Sequence, residues 1–217
     1  MNASLITGVA GGPWAIAASG TNLYVATQSG TIGLYTTSGA TVNASLITGL
    51  DSPEGIAVLG DKLFVTDTDN QGLGRIGEYT TSGAIVNASL ITGLYTPWGI
   101  AVSGDKLFVT DYLEGKVSEY TTSGATVNDL LITGLGAPSG IAVLGTDLNL
   151  LSNGSDTASR IGEYTTSGAT VNGTFIKVSG GPNDRRVASG FAIVPEPSTL
   201  ALLAAGAAAL LVFRRRR

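Results

Sequence analysis

The sequence contains no cysteine and no histidine among its 217 residues. The absence of cysteine excludes disulfides, thiolate catalysis and cysteine-ligated metals. The absence of histidine removes the commonest general base and the commonest transition-metal ligand, which excludes hydrolases with Ser-His-Asp or Cys-His centres. The composition therefore predicts no cofactor and favours a protein that is not an enzyme.

Charged residues are also scarce, at 13% of the chain, and they are unevenly distributed. The net charge is −4, but Arg214–Arg217 supply four of the twelve positive charges and Glu196 one of the sixteen negative charges. Residues 1–194 therefore hold fifteen acidic and eight basic residues, a net charge of −7. Because an acidic body does not attract a phosphate backbone, we expect no nucleic-acid partner.

The sequence does contain a repeat. Copies of its opening phrase begin at Asn2, Asn43, Asn87, Asn128 and, in degraded form, Asn172, which gives spacings of 41, 44, 41 and 44 residues. A fixed period near 40 residues indicates one supersecondary unit used several times, each copy burying its apolar face against the next.

One repeat has four stretches of strand character separated by turn residues: Trp98–Val102, Lys106–Thr110, Lys116–Thr121 and Thr126–Thr133. Four antiparallel strands in about 40 residues are typical of a β-propeller blade. Helical repeats do not fit, because no apolar period of 3.6 residues continues over ten residues and each copy is rich in Gly, Thr and Ser. A β-solenoid is the competing architecture, although its coils are usually shorter.

The repeat resembles the NHL-type propeller repeat, whose blades begin Pro-x-Gly-Ile-Ala-Val and continue into a strand ending Val-x-Asp. The matching segments are Pro53–Val58, Pro97–Val102 and Pro138–Val143, with Val65–Asp67 and Val109–Asp111 as the strand ends. The resemblance covers most of residues 2–178. It implies a propeller fold, and it implies no particular activity, because that repeat is found in binding scaffolds and, less often, in enzymes.

The repeats predict an all-β propeller of four full four-stranded blades with parts of an incomplete further blade. The leftover parts are an outer strand at Asn2–Thr7 and an innermost-type strand at Val187–Val194. Propellers often close by building one blade from both ends of the chain, so we expect these two parts to share a blade. On this interpretation the chain is shortened at its N-terminus, and a secretory signal and further strands precede Met1.

Four positions vary at the start of otherwise similar blades, and we name them the hub residues: Trp14, Glu54, Trp98 and Ser139. The start of a blade lies near the mouth of the central channel of a propeller, where repeats that bind a ligand usually diverge. The two tryptophans are candidates for stacking on a sugar ring. The alternative is that they plug the channel or pack between blades.

A segment of the second blade nearly matches a calcium-binding loop. Asp67 and Asp69 are followed by Glu78, eleven residues after Asp67, but Gln71 stands where the calcium loop has an acid or Asn. Asp67 recurs as Asp111 in the next blade, so the repeat itself also explains it. These three carboxylates are weak candidates for metal ligands, and the sequence favours no metal.

From residue 195 the composition changes, which divides the chain into repeats at 1–194 and a tail at 195–217. The tail begins with Pro195-Glu196-Pro197 and continues into an uncharged apolar stretch at Leu200–Phe213. It ends in four consecutive arginines: Arg214, Arg215, Arg216 and Arg217. The apolar stretch predicts a helix of about 21 Å, short against a hydrocarbon core of about 30 Å. The arginines would lie on the cytoplasmic side, which places the repeats outside the cytoplasm.

The tail resembles the PEP-CTERM sorting signal, because a Pro-Glu-Pro motif, a short transmembrane stretch and a terminal Arg cluster follow one another in that order. This resemblance implies an exosortase-like processing enzyme as a partner and a transient stay in the inner membrane of a bacterium. It implies a final location at the cell surface or in the extracellular matrix.

The sequence as a whole favours an exported, non-enzymatic scaffold that binds an extracellular polysaccharide or a protein. The alternative is a calcium-dependent propeller hydrolase of the lactonase or esterase type, which would need acidic and amide side chains converging on the channel. A purely structural spacer is a third possibility, and the sequence does not separate it from a binding scaffold.

Overall fold

The computed structural model describes residues 6–153 and 158–179. Within those ranges, sixteen strands form four antiparallel sheets of four strands, each made from consecutive strands of the chain. The strands are Pro13–Ser19 (β1), Asn22–Thr27 (β2), Thr31–Thr36 (β3) and Thr41–Ile47 (β4) in blade 1; Pro53–Leu59 (β5), Lys62–Thr68 (β6), Gly74–Thr80 (β7) and Ile85–Leu94 (β8) in blade 2; Pro97–Ser103 (β9), Lys106–Asp111 (β10), Lys116–Thr121 (β11) and Thr126–Ile132 (β12) in blade 3; and Pro138–Leu144 (β13), Asp147–Asn153 (β14), Ala158–Thr165 (β15) and Thr170–Ser179 (β16) in blade 4.

The four sheets are the blades of a β-propeller. The first strand of each blade is innermost, and these strands pack against one another in the order β1, β5, β9, β13. No comparable packing joins β13 to β1 among the described residues. The prediction of four full four-stranded blades is confirmed.

The strand bounds of blade 3 either match the sequence prediction or differ from it by a single residue. The innermost strand of blade 3 begins at Pro97 rather than Trp98, and its outermost strand ends at Ile132 rather than Thr133. The hairpin before each outermost strand repeats one arrangement, in which the hydroxyl of a Thr accepts the backbone N–H of an Ala four residues later, as Thr121 does from Ala125 at 3.0 Å.

The prediction of an outer strand at Asn2–Thr7 is wrong for Ile6 and Thr7, the two residues of this segment that the structure describes. Ile6 and Thr7 do not lie in a strand. Ile6 and Val9 instead pack against the face of blade 1 formed by Leu23, Val25 and Tyr35. Burial of two apolar side chains on an otherwise open sheet face explains why the segment follows this path rather than pairing as a strand.

Two further expectations, an innermost-type strand at Val187–Val194 and a helix at Leu200–Phe213, lie outside the described residues. The described part of the chain has no helix with the length and apolar character needed to cross a membrane.

The core consists of layers between neighbouring blades. Between blades 2 and 3, Phe64 and Ile76 of blade 2 pack against Ile100, Leu107 and Val109 of blade 3. Leu107 and Val109 face blade 2, whereas Phe108 packs in the next layer, against blade 4. The strict alternation along β10 therefore gives each blade two apolar faces, and the blades stabilise one another in series.

The innermost strands approach so closely that a glycine is required between them. A Cβ atom at Gly55 would lie 2.3 Å from the carbonyl oxygen of Trp98 in the next blade. The same oxygen accepts a hydrogen bond of 2.9 Å from the Thr66 hydroxyl. The small residues of the Gly-Ile-Ala-Val pattern are thus a consequence of crowding at the axis of the propeller.

Blade 1 is the exception to this packing. Its Ile16 is 51% exposed, whereas the equivalent Ile56, Ile100 and Ile141 are 6–7% exposed. The three buried isoleucines each face a preceding blade, which Ile16 lacks among the described residues.

This asymmetry predicts unequal costs for the same substitution. Ile100→Ala removes a buried side chain from the layer between blades 2 and 3, so we expect it to lower the free energy of unfolding by about 2–5 kcal/mol. Ile16→Ala is the matched control and should cost less than about 1 kcal/mol, because its side chain is half exposed. Urea denaturation of both variants measures the difference, and equal costs would contradict the observed packing.

Candidate binding site at the propeller hub

Each hub residue lies at an irregularity in its sheet. In blade 2, Pro53 pairs with Asp67 and Gly55 with Thr66, which leaves Glu54 unpaired between them. The same shift leaves Trp14 of blade 1 and Ser139 of blade 4 unpaired. Blade 3 has a register shift at the corresponding place, around Trp98. An extra residue of this kind is a β-bulge, which redirects one side chain out of the regular alternation.

Three of the redirected side chains line a cavity of about 400 Å³ at the inner ends of the blades. Trp14, Glu54 and Ser139 line this hub cavity together with apolar residues from all four innermost strands. A concave, mostly apolar site with a few polar groups is the usual form of a small-molecule site. The structure therefore brings together three of the four hub residues that the sequence singles out.

Trp98 is the fourth hub residue, and it is not part of the cavity lining. Its ring stacks on Tyr112, with 4.2 Å between the ring centroids and 29° between the ring planes. Both tryptophans are partly exposed, so neither is enclosed between blades. No repeat pattern in the sequence singles out Tyr112, because it follows Asp111 in a turn that has no aromatic equivalent in the other blades.

Glu54 is a carboxyl group in an environment that disfavours its charge. Its Oε2 atom accepts a hydrogen bond of 2.9 Å from the Thr68 hydroxyl. Burial raises the pKa of Glu54 from 4.5 to about 7, although hydrogen bonds from the Thr68 and Trp98 side chains act in the opposite direction. Near neutral pH, Glu54 is therefore present in both its neutral and its charged form.

Ser139 differs from the other hub residues in its burial. It is 5% exposed, and its hydroxyl has no hydrogen-bond partner among the described residues. Buried hydroxyl groups in native proteins are nearly always paired, so the Ser139 hydroxyl is open to a hydrogen bond with a water molecule or a ligand atom in the cavity.

The three carboxylates of the calcium-like loop do not converge. Asp67 is 2% exposed, and its Oδ1 atom accepts the backbone N–H groups of Asp51 and Ser52 at 2.9 and 2.8 Å. Its Oδ2 atom forms an ion pair of 2.6 Å with Arg75. The lone pairs of Asp67 are thus used within the blade.

The other two carboxylates have separate partners. The Oδ1 atom of Asp69 accepts the backbone N–H groups of Gln71 and Leu73 within its own turn. Glu78 is buried and forms an ion pair of 2.7 Å with Lys62. Across the described ranges, no three acidic side chains come together as a metal site.

A second pocket of about 340 Å³ lies between blades 2 and 3. Blade 3 has Ser118 where the other blades have Gly33, Gly77 and Gly162, and the Ser118 hydroxyl donates to the backbone oxygen of Asp129 at 2.8 Å. Lys116 forms ion pairs with Glu114 and Asp129 in the same pocket. These four polar side chains of the pocket therefore satisfy one another.

Comparison with known proteins adds two findings, of which the first concerns the tail. Residues 194–217 match the family model of the PEP-CTERM protein-sorting motif. The chain therefore carries this sorting motif, and the motif implies export and processing by an exosortase. A search of curated proteins gives no significant match.

The matched segment contains every residue that the sequence analysis assigns to the sorting signal: Pro195, Glu196, Pro197, Arg214, Arg215, Arg216 and Arg217. The predicted sorting motif is thus confirmed for this segment, and the roles of the seven individual residues stay predictions. All seven lie outside the described residues.

The second finding is a set of solved structures with a similar fold. A chain of a nidogen/laminin complex is 24% identical, with a TM-score of 0.54, over 69% of this chain and 59% of that chain. A putative oxidoreductase (glucose dehydrogenase) from Thermus thermophilus is 17% identical, with a TM-score of 0.55, over 81% of this chain and 68% of that chain. The calcium-binding protein regucalcin from Agrobacterium tumefaciens is 15% identical, with a TM-score of 0.54, over 77% and 60%.

At these identities, the similarity shows the propeller fold alone. The chain spans 59% of the nidogen/laminin chain and 60% of the regucalcin chain.

The raised pKa of Glu54 predicts a pH dependence of stability. The folded protein holds the proton of Glu54 up to about pH 7. The contribution of this protonation to the free energy of unfolding is therefore complete below pH 4.5 and is lost as the pH rises through about 7. Glu54→Gln has no such proton. As the pH rises from 4.5 to 7, the free energy of unfolding of the variant minus that of the wild-type protein should therefore increase by about 1–3 kcal/mol. Urea denaturation across this range measures the difference, and a constant difference would contradict the buried position of Glu54.

The contacts of Asp67 predict a structural role that does not depend on calcium. Asp67→Asn breaks the ion pair with Arg75 and should lower the free energy of unfolding by about 2–3 kcal/mol, less than for a fully buried pair because Arg75 is partly exposed. Asp69→Asn keeps an acceptor oxygen and should cost less than about 0.5 kcal/mol. Both costs should be the same in EDTA and in calcium chloride, and a calcium-dependent cost would restore the metal-site hypothesis.

Proposed function

We propose that this protein is an exported, non-enzymatic scaffold of the bacterial cell surface or extracellular matrix, and that it binds an extracellular polysaccharide or a protein through the hub of its propeller. In this proposal, an exosortase-like enzyme processes the tail of the chain after a transient stay in the inner membrane. The propeller remains outside the cell and acts by binding.

The observation that supports binding at the hub is the contrast between a uniform repeat and its few variable positions. The strands Pro53–Leu59, Pro97–Ser103 and Pro138–Leu144 share Pro, Gly, Ile and Ala at the same places, but their second residues are Glu54, Trp98 and Ser139. These residues occupy the bulges, and Glu54 and Ser139 line the hub cavity with Trp14. A purely structural spacer would have no need of different side chains at this place.

The chemistry of the hub favours binding over catalysis. The chain has no His and no Cys, and Glu54 has no acidic or basic neighbour in the described cavity lining. General acid–base and nucleophilic catalysis use a pair of such groups within hydrogen-bond distance. One carboxyl group and one hydroxyl group can orient a ligand without reacting with it.

A calcium-dependent hydrolase is the second candidate, and Glu54 is the residue that favours it, because it is a carboxyl group in the hub cavity. Calcium takes six to eight oxygen ligands. The described cavity lining supplies the Glu54 carboxyl group and the Ser139 hydroxyl, with no Asp or Asn side chain. We therefore prefer the binding scaffold.

The export part of the proposal predicts the effect of one substitution in the sorting motif. The protein is expressed behind a secretory signal peptide in a bacterium that contains an exosortase. Glu196→Ala should leave uncleaved protein in the inner membrane, because it removes the acidic residue of the Pro-Glu-Pro motif. Cell fractionation and the mass of the mature chain measure the outcome.

The control for this experiment is Asp61→Ala, which removes an acidic residue from an exposed turn of the propeller. It should be processed like the wild-type protein. Normal processing of the Glu196→Ala variant would count against an exosortase-type signal.

A further inference from the structure

We propose that the hub cavity binds one neutral, polyhydroxylated ring, the chemistry of a sugar residue, between the Trp14 indole, the Glu54 carboxyl group and the Ser139 hydroxyl. The inference rests on the proposed function, because it names the class of ligand that the same cavity takes. A single residue of an extracellular polysaccharide, such as a chain end or a side branch, is the form in which this ligand would meet an exported protein.

The first support is the unpaired hydroxyl of Ser139. The side chain lies in the cavity wall at 5% exposure and has no hydrogen-bond partner among the described residues. A serine side chain turns about one torsion angle, and its hydroxyl both donates and accepts. A ligand hydroxyl in the cavity supplies the partner that the described residues do not.

The second support is the combination of an apolar wall with few polar groups. Ile16, Ile56, Ile100 and Ile141, one from each blade, line the cavity together with Trp14. A sugar ring has an apolar face of C–H groups, which stacks on an indole, and an edge of hydroxyl groups, which needs hydrogen bonds. The volume of about 400 Å³ is at the lower end of the range of small-molecule sites.

The third support is the charge of the cavity. Its described lining contains no Lys and no Arg, so a phosphate or carboxylate ligand would find no opposite charge. A divalent cation would find the carboxyl group of Glu54, which shares one oxygen with the Thr68 hydroxyl, and the hydroxyl of Ser139. The described lining thus has no cationic side chain for an anion and few oxygen ligands for a cation. A neutral ligand with hydroxyl groups is the class that fits both observations.

The test measures binding to the full chain by isothermal titration calorimetry. The neutral probes are the methyl glycosides of glucose, galactose and N-acetylglucosamine, and the charged probes are calcium chloride and sodium phosphate. We expect at least one glycoside to bind. Trp14→Ala and Ser139→Ala should each weaken its binding about tenfold or more, through loss of the stacking surface and of a hydrogen bond.

Two substitutions of Glu54 separate a neutral ligand from a cation. Glu54→Gln keeps a hydrogen-bonding oxygen and should bind the glycoside within about fivefold of the wild-type protein, whereas Glu54→Ala should bind about tenfold more weakly or worse. A cation would be lost from both variants. Leu113→Ala is the control for the loss of a large apolar side chain, because Leu113 is 66% exposed and lies outside the cavity lining, and it should leave the affinity unchanged.

A stability measurement distinguishes a ligand contact from a folding contact. Because the Ser139 hydroxyl has no partner among the described residues of the free protein, Ser139→Ala should leave the melting temperature equal to or above that of the wild-type protein while it weakens binding. A fall in melting temperature together with unchanged glycoside affinity would overturn the role assigned to Ser139.

The inference and the proposed function fail separately. If no glycoside binds, or if calcium binds and Glu54→Gln abolishes its binding, the inference is overturned. If the full chain retains an extracellular polysaccharide and all of the hub variants retain it equally, the inference is overturned while the scaffold function stands. If Glu196→Ala is processed normally, the export part of the proposed function fails, and glycoside binding at the hub remains the test of the inference.

Discussion

The packing of one blade against the next is the interaction on which the rest of the structure depends. Each junction buries the alternate side chains of two sheets, such as Phe64 from one blade and Leu107 from the next. Burial of apolar area is therefore shared between neighbours, and each blade is stable because of the blades beside it. The crowding that this packing produces at the axis explains why Gly55 cannot carry a side chain.

The hub residues escape this crowding because each lies at a β-bulge or register shift of its sheet. With regular alternation, every side chain of an innermost strand would point into a layer between two blades. The neighbouring side chains would then restrict its size and polarity. The β-bulge releases one residue per blade from that constraint. Tryptophan, glutamate and serine can therefore occupy equivalent places in blades that are otherwise nearly identical, and the site can change without cost to the layers.

Much of this architecture follows from the sequence, because the determining signals are local. The period of about 41 to 44 residues, the alternation in Lys106–Asp111 and the turn glycines predict four-stranded blades, and these are present. Sequence variability singles out four hub positions, and three of them line the cavity while Trp98 does not. The bulges, the raised pKa of Glu54 and the unpaired hydroxyl of Ser139 depend on strand pairing and on burial in the folded chain, which no local pattern contains. The stacking of Trp98 on Tyr112 and the partners of Asp67 have the same origin, and they separate a calcium-like spacing from a converging ligand set.

The central claim is that the hub cavity is where this propeller meets its ligand, and the two tryptophans allow it to be tested directly by NMR. A ¹H–¹⁵N spectrum should contain one indole signal from Trp14, in the cavity wall, and one from Trp98, stacked on Tyr112. On titration with a methyl glycoside, the account predicts that the largest shifts fall on the Trp14 indole and on the amides of Gly55 and Gly140, with none at the peripheral turn glycines Gly83 and Gly124. Shifts concentrated at those turns or on the outermost strands, with the Trp14 indole unchanged, would contradict it.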